Sequence, residues 1–152
     1  MIQKIDHKSA LVAKPLYELF QASYAVEAKL LGATDFPPLK RKMENFMESS
    51  NAFYGYFKED SLVAVAEIDS GPDSTHIQSL VVHPKFFRQG IGGALVTFVL
   101  EQYDAKVFTV ETGLKNEPAT QLYLKLGFRE VYQYDTDHGV RKVRFEKKAL
   151  GD

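Results

Sequence analysis

Val82-His83-Pro84-Lys85-Phe86-Phe87-Arg88-Gln89-Gly90-Ile91-Gly92-Gly93-Ala94-Leu95 is the stretch whose reading decides the fold. Residues 75–82 have strand character and stop there, because Pro84 breaks the pattern. Glycines follow, and Ile91, Ala94, Leu95, Phe98 and Val99 then recur at helical spacing in a helix expected over residues 90–103. Residues 106–112, Lys-Val-Phe-Thr-Val-Glu-Thr, read as the next strand. Strand, helix and strand in this order form a βαβ unit, so residues 75–82 and 106–112 should run parallel with a right-handed crossover. The first amides of a helix lack internal partners, and the macrodipole puts about half a positive charge behind them. Glycines at that point let a phosphate reach the backbone without meeting a Cβ. The segment is built as a pyrophosphate cradle.

Upstream, residues 2–5 suit a short strand, and Ser9 offers an N-cap to a helix carrying Val12, Leu16, Leu19, Phe20 and Ser23. Pro15 suggests that this helix begins near it. Gly-Ala-Thr-Asp-Phe-Pro-Pro, residues 32–38, is a loop, and a second helix is expected over residues 39–49 with Met43, Phe46 and Met47 as its apolar side. Residues 53–57 and 62–68 form a hairpin around Lys58-Glu59-Asp60, and Ser70-Gly71-Pro72-Asp73 turns into the strand at 75–82. Downstream, Asn116 caps a helix with Pro118 in its first turn and Gly127 as its stop. Residues 128–134 and 140–147 close the chain as a hairpin around Asp137-His138-Gly139. The order is βααβββαβαββ, an α/β (α+β mixed-sheet) domain over residues 1–152 with a central mixed sheet flanked by helices.

At 152 residues the chain supports one domain with a real core. Nineteen basic residues balance 20 acidic ones, for a net charge of −1, and no basic run occurs, which argues against nucleic acid or an anionic membrane as partner. The absence of cysteine removes disulfides, thiolate metal sites and a cysteine acyl-enzyme. Four histidines without ligand spacing imply no metal. No apolar leader or membrane span is visible, so a cytoplasmic setting follows by default.

The cradle does not by itself name its ligand. A nucleoside triphosphate loop needs Gly-Lys-Ser/Thr, which is missing. A dinucleotide fingerprint fits Gly90 and Gly92 but meets Leu95 in place of the third glycine. Glu111 still lies about where a ribose-binding acid would fall. Glycines that only allow tight strand–helix packing are the structural alternative.

Residues 75–135 as a whole resemble the acetyl-CoA-binding half of the GNAT superfamily of N-acetyltransferases. The family signature Q/R-x-x-G-x-G/A corresponds to Phe87-Arg88-Gln89-Gly90-Ile91-Gly92, with Phe87 departing from the usual Gln or Arg. The second signature, N-x-x-A-x-x-x-Y-x-K-x-G-F, is matched by Asn116, Ala119, Tyr123, Lys125, Gly127 and Phe128. The first 70 residues match only in element order. The resemblance implies a GNAT-like fold and acetyl-CoA as co-substrate. It also implies transfer of acetyl to a primary amine, of a small molecule or a peptide, by direct attack in a ternary complex.

It further implies that Leu80 and Val82 bond the pantetheine arm through their backbones, and that a backbone N–H near Val82 steadies the oxyanion. The amides of Arg88, Gln89, Gly90, Ile91, Gly92 and Gly93 would hold the pyrophosphate, with Asn116 and Ala119 touching the cofactor from the next helix. Tyr123 would protonate the departing thiolate, although its helical stripe with Ala119, Leu122 and Leu126 also reads as core. His76 is the first choice as general base, with Glu67 and Glu111 as competing carboxylates, and a bulge in its strand would change its facing. His138 and Phe36-Pro37-Pro38 are candidate walls of the acceptor site. A homodimer is compatible with the resemblance. Two other classes stay open: an acyl-CoA-binding module without transfer activity, and a dinucleotide-binding protein, which Leu95 and the second signature disfavour.

Overall fold

The computed structural model describes residues 1–149. Seven strands form one sheet: β1 (Ile2–Lys4), β2 (Ala52–Lys58), β3 (Ser61–Ser70), β4 (Ser74–Val82), β5 (Val107–Gly113), β6 (Arg129–Asp135) and β7 (Arg141–Lys148). Their order is β1-β2-β3-β4-β5-β7-β6. Only β4 and β5 run parallel, as the βαβ reading requires, and every other neighbour is antiparallel. The helices are α1 (Ala10–Leu31), α2 (Met43–Glu48), α3 (Ile91–Gln102) and α4 (Glu117–Lys125).

The two faces of the sheet are covered differently. On one face Leu95, Val96 and Val99 of α3 and Tyr123 of α4 pack with Ile77, Phe108, Val110, Val143 and Phe145. On the other, Leu16, Leu19 and Phe20 of α1 and Phe46 of α2 close over Phe53, Val65 and Val81. Each such fully buried side chain contributes roughly 1.5–3 kcal/mol. Beyond these layers, Leu31, Phe36 and Val140 form a small third cluster that holds the loop after α1 against the final hairpin.

Two expectations need correction. Helix α1 starts at Ala10 and runs through Pro15 rather than beginning near it. A proline at that place removes only one bond, to the carbonyl of Leu11, and Leu11 is exposed, so water can serve that oxygen. The helix expected over residues 39–49 is instead a 3-10 turn at Pro37–Lys40 followed by the shorter α2. The chain is extended at Arg41 and Lys42 between them, which frees Arg41 to reach inward. Gly32 ends α1 in the left-handed conformation, with Ala33 N–H donating to the Ala28 carbonyl at 2.8 Å.

The β2–β3 hairpin turns on two residues, Glu59 and Asp60, at φ 49° and 70°. Both conformations are left-handed, as a two-residue turn matched to strand twist demands, and both positions carry side chains that resist it. Asp60→Gly is therefore expected to stabilise the fold by roughly 0.5–1 kcal/mol, read as a higher denaturation midpoint. A lowered midpoint would contradict the strain argument.

Candidate active site

The site begins where β4 leaves β5. Their parallel ladder covers only Ser74 to Ile77 against Val107 to Val110. At the next residue β4 bulges: Glu67 of β3 faces Ser79 and Ile68 faces Ile77, leaving Gln78 unpaired. From there to Val82, β4 pairs with β3 alone, so its other edge borders a gap where β5 would have continued. His83 N–H donates to Val63 O at 2.8 Å. Antiparallel alternation therefore turns the N–H groups of Leu80 and Val82 away from β3 and into the gap.

One cavity, a groove with a volume of about 450 Å³, runs along this gap. Leu80 and Val82 form one wall and Val26 and Leu30 of α1 another, and the groove ends at Arg88, Gly90, Ile91, Gly92 and Gly93. Arg88 and Gly90 lie at φ 64° and 76°, which turns the loop sharply into α3. No side chain caps that helix, so its first amides stay available. A Cβ on Gly92 would stand in this space, 3.5 Å from Leu122 and 3.8 Å from both Leu80 and Val82. The groove fits an extended acyl-carrying arm ending in a pyrophosphate. Gln89 is the exception among the loop residues, since its side chain accepts from Lys58 Nζ at 2.8 Å and does not line the groove. Phe87 does line it, half-exposed.

A second cavity of about 330 Å³ lies beyond, walled by Tyr24, Phe36, Pro37, His138 and Val140. The two share Glu27, Leu80, Asn116 and Ala119, so they meet at those four residues. Of the two candidate backbone donors, Leu80 stands at this junction, whereas Val82 lines only the groove. Tyr123 lines the second cavity and is 3% exposed. Its hydroxyl bonds no described residue, yet no buried side-chain polar atom is orphaned, so the hydroxyl opens to the cavity. Burial pushes its pKa well above the usual phenol value, with nearby Tyr24 and Glu27 adding to the shift. The phenol therefore keeps its proton at neutral pH.

The three candidate bases stand in different places. His76 hydrogen-bonds Thr109 Oγ1 through Nδ1 at 2.7 Å and does not line either cavity. Burial holds its pKa below the ordinary value, so its ring is neutral at pH 7. Glu67 is 1% exposed and receives both guanidinium nitrogens of Arg41 (2.7 and 2.9 Å), Asn51 Nδ2 (2.9 Å) and Ser79 Oγ (2.9 Å). Every side of that carboxylate is occupied, and despite burial these donors keep its pKa below the ordinary value. It is a structural anion. Glu111 does line the second cavity. Burial works against its charge, but Tyr134 and Arg144 Nη1 (3.0 Å) donate to it and hold the carboxylate ionised.

Asn116 caps α4 by accepting from Ala119 N–H at 3.3 Å, and its amide donates to Glu27 Oε1 at 2.7 Å. The sequence reading missed Glu27. Its signal was present: Phe20, Tyr24, Glu27 and Leu31 follow one another at helical spacing, so the acid sits on the stripe that faces the sheet. Burial raises its pKa above the usual carboxylate value. Among the described residues, no group of three or more histidine, aspartate or glutamate side chains could hold a metal, and no helix is long and apolar enough to cross a membrane.

A split parallel pair with a glycine-lined helix start on one side and a buried phenol on the other defines a class of acetyl-transferring domain. Residues 27–149 match the acetyltransferase (GNAT) domain model, and the chain belongs to that family. The ribosomal-protein-S18-alanine N-acetyltransferase of Escherichia coli superposes with a TM-score of 0.78 at 18% identity, over 98% of this chain and 93% of that one. PaiA N-acetyltransferase of Thermoplasma acidophilum, solved in complex with coenzyme A, gives 0.76 at 18% identity over 97% and 98%. UPF0157 protein YqkA of Bacillus subtilis (strain 168) is 34% identical over 131 residues, which is 86% of this chain. The chain spans only 38% of that relative's length.

Proposed function

We propose that the protein is an acetyl-CoA-dependent N-acetyltransferase that acts in the cytoplasm on a primary amine by direct attack. The observation that carries this reading is the meeting of the two cavities at Leu80, Glu27, Asn116 and Ala119. Bound there, acetyl-CoA would supply an activated acetyl thioester. The Leu80 and Val82 N–H groups hold the arm in the gap, and the uncapped amides of α3 neutralise the pyrophosphate. The Leu80 N–H, at the junction, would also donate to the thioester carbonyl oxygen where negative charge grows.

The amine nitrogen forms a bond to the carbonyl carbon as the carbon–sulfur bond breaks. Tyr123 gives its proton to the leaving sulfur, and Glu111 takes the amine's proton through water. The junction would hold both partners in reacting order. No protein nucleophile is needed.

Thermal unfolding with acetyl-CoA, and with NAD and ATP as controls, tests the reading. At about 100 times its Kd a ligand adds ~2.7 kcal/mol, a rise of roughly 5–10 °C for a domain of this size. A rise with acetyl-CoA, followed by amine-dependent release of free CoA, is expected. A rise with NAD alone would overturn the reading, and a rise with acetyl-CoA but no transfer to any amine would leave a binding module.

A further inference from the structure

The acceptor-side cavity carries more charge than the transfer reaction uses. Five charged side chains line it: Glu27, Glu111, Arg41, Lys142 and, when protonated, His138. Two of these are already matched. Arg41 is held by Glu67, and Glu111 by Arg144 and Tyr134. His138 lies beside Asp137, at 3.4 Å. That leaves Glu27, bonded only to the neutral amide of Asn116, and Lys142, which makes no ion pair with any described residue.

Their positions are set by the fold. Glu27 is at the junction, on the turn of α1 after Tyr24. Lys142 is on β7 opposite Gly113 of β5, in a strand whose Val143 and Phe145 turn to the core, so Lys142 faces the other way, toward α1. Its charge is felt at both Glu27 and Glu111, yet it reaches neither within 4.0 Å. A half-buried ammonium held apart from two nearby carboxylates is an open anion site. Between it and the loop, Leu31, Phe36 and Val140 supply an apolar wall.

Resting on the transferase reading above, we propose that the acceptor is a small amine that also bears a carboxylate, an amino acid with an apolar side chain. The ammonium meets Glu27 at the junction, where the amine must lie to reach the thioester, and passes one proton to that carboxylate before the neutral nitrogen attacks. The carboxylate meets Lys142, and the side chain lies on the wall of Leu31, Phe36 and Val140. Neither charge of the site then stays unmatched in the complex. A plain amine would leave Lys142 without a partner and lose that contact.

The test uses matched acceptors that differ only in the carboxylate: L-leucine, L-methionine and L-phenylalanine against their amides, with free CoA as the readout. At least one acid is expected to exceed its amide by about tenfold or more in kcat/KM, because the site's cation is then paired rather than left facing a neutral group. Lys142→Met is expected to bring that ratio close to one, and Lys142→Arg to keep most of it, with the thermal midpoint reporting that both variants are folded. Amides that match or exceed their acids in every pair would overturn the proposal. So would a Lys142→Met variant that lowers acid and amide alike. Binding of acetyl-CoA without turnover of any acid overturns the acceptor class alone, whereas failure to bind acetyl-CoA overturns the reading beneath it.

Discussion

Tyr123→Phe should lower kcat by about 10²–10³-fold while leaving the acetyl-CoA-induced rise in unfolding temperature in place, since a positioned proton donor is worth about that much to a departing thiolate. The argument rests on where the hydroxyl is. The ring packs at 5.6 Å from Phe128 and 5.9 Å from Phe145, so two core rings hold it in place. Its hydroxyl opens to the cavity. Burial raises its pKa, which keeps the proton on it throughout the neutral range. Phenylalanine preserves the packing and removes only the donor. Steady-state kinetics of CoA release would check this, and a variant within a factor of three of the parent would remove Tyr123 from the reaction. A drop in thermal midpoint instead would assign the residue to the core, as its helical stripe alone suggests.

Arg41→Met should destabilise the fold by about 3–5 kcal/mol at neutral pH, because it leaves a buried carboxylate without its cation. Glu67 is 1% exposed, and Arg41 gives it two charged hydrogen bonds. The guanidinium also lies 4.0 Å from the centre of the Phe46 ring and 5.8 Å from those of Phe20 and Phe53, so both packing and charge are lost. Chemical denaturation reads the change directly.

The pH dependence follows from the direction of the Glu67 shift. Its folded pKa lies below the ordinary carboxylate value, so the parent's gain is fully present above pH ~5 and fades as pH falls through the folded pKa. In the variant, Glu67 is buried without its ion and takes up a proton at higher pH. The gap between parent and variant should therefore be widest near neutrality and narrow toward pH 3. A gap independent of pH would mean that packing on Phe46, not charge, carries the effect.

Most of the architecture was legible in the chain because local physics wrote it. Alternating apolar residues, Pro84, the glycines of residues 90–93 and the Asn116–Pro118 cap each act within a few residues of themselves. They set the element order and the parallel β4–β5 pair, and the structure has both. The interior of helices and strands was misjudged only where a single residue pointed two ways, as with Pro15, or where a short apolar stretch covered two kinds of turn, as at Pro37–Lys40 and Met43–Glu48.

The site was legible in part. Leu80, Asn116, Ala119, Tyr123 and Glu111 are brought together at one cavity, and the glycine loop lies at the far end of the other. The sequence put His76 first as the base, with Glu67 and Glu111 as competing carboxylates, since all three are titratable groups on neighbouring strands. What separates them is the bulge at Gln78, which reverses the facing of half a strand. It also depends on partners far away in the chain: Thr109 for His76, Arg41 for Glu67. Glu27 and Lys142 are 115 positions apart and share a cavity only because the C-terminal end of α1 packs against Gly113 of β5 and Val140 before β7.

The sequence by itself determined the elements, their order, the parallel pair and the phosphate-ready start of α3, because each depends on torsions and periodicities local to the chain. Only the tertiary structure decided which carboxylate faces the second cavity, which is locked in a buried ion pair, and which charges remain unmatched. Those outcomes depend on distance and desolvation between residues that the chain brings together only on folding.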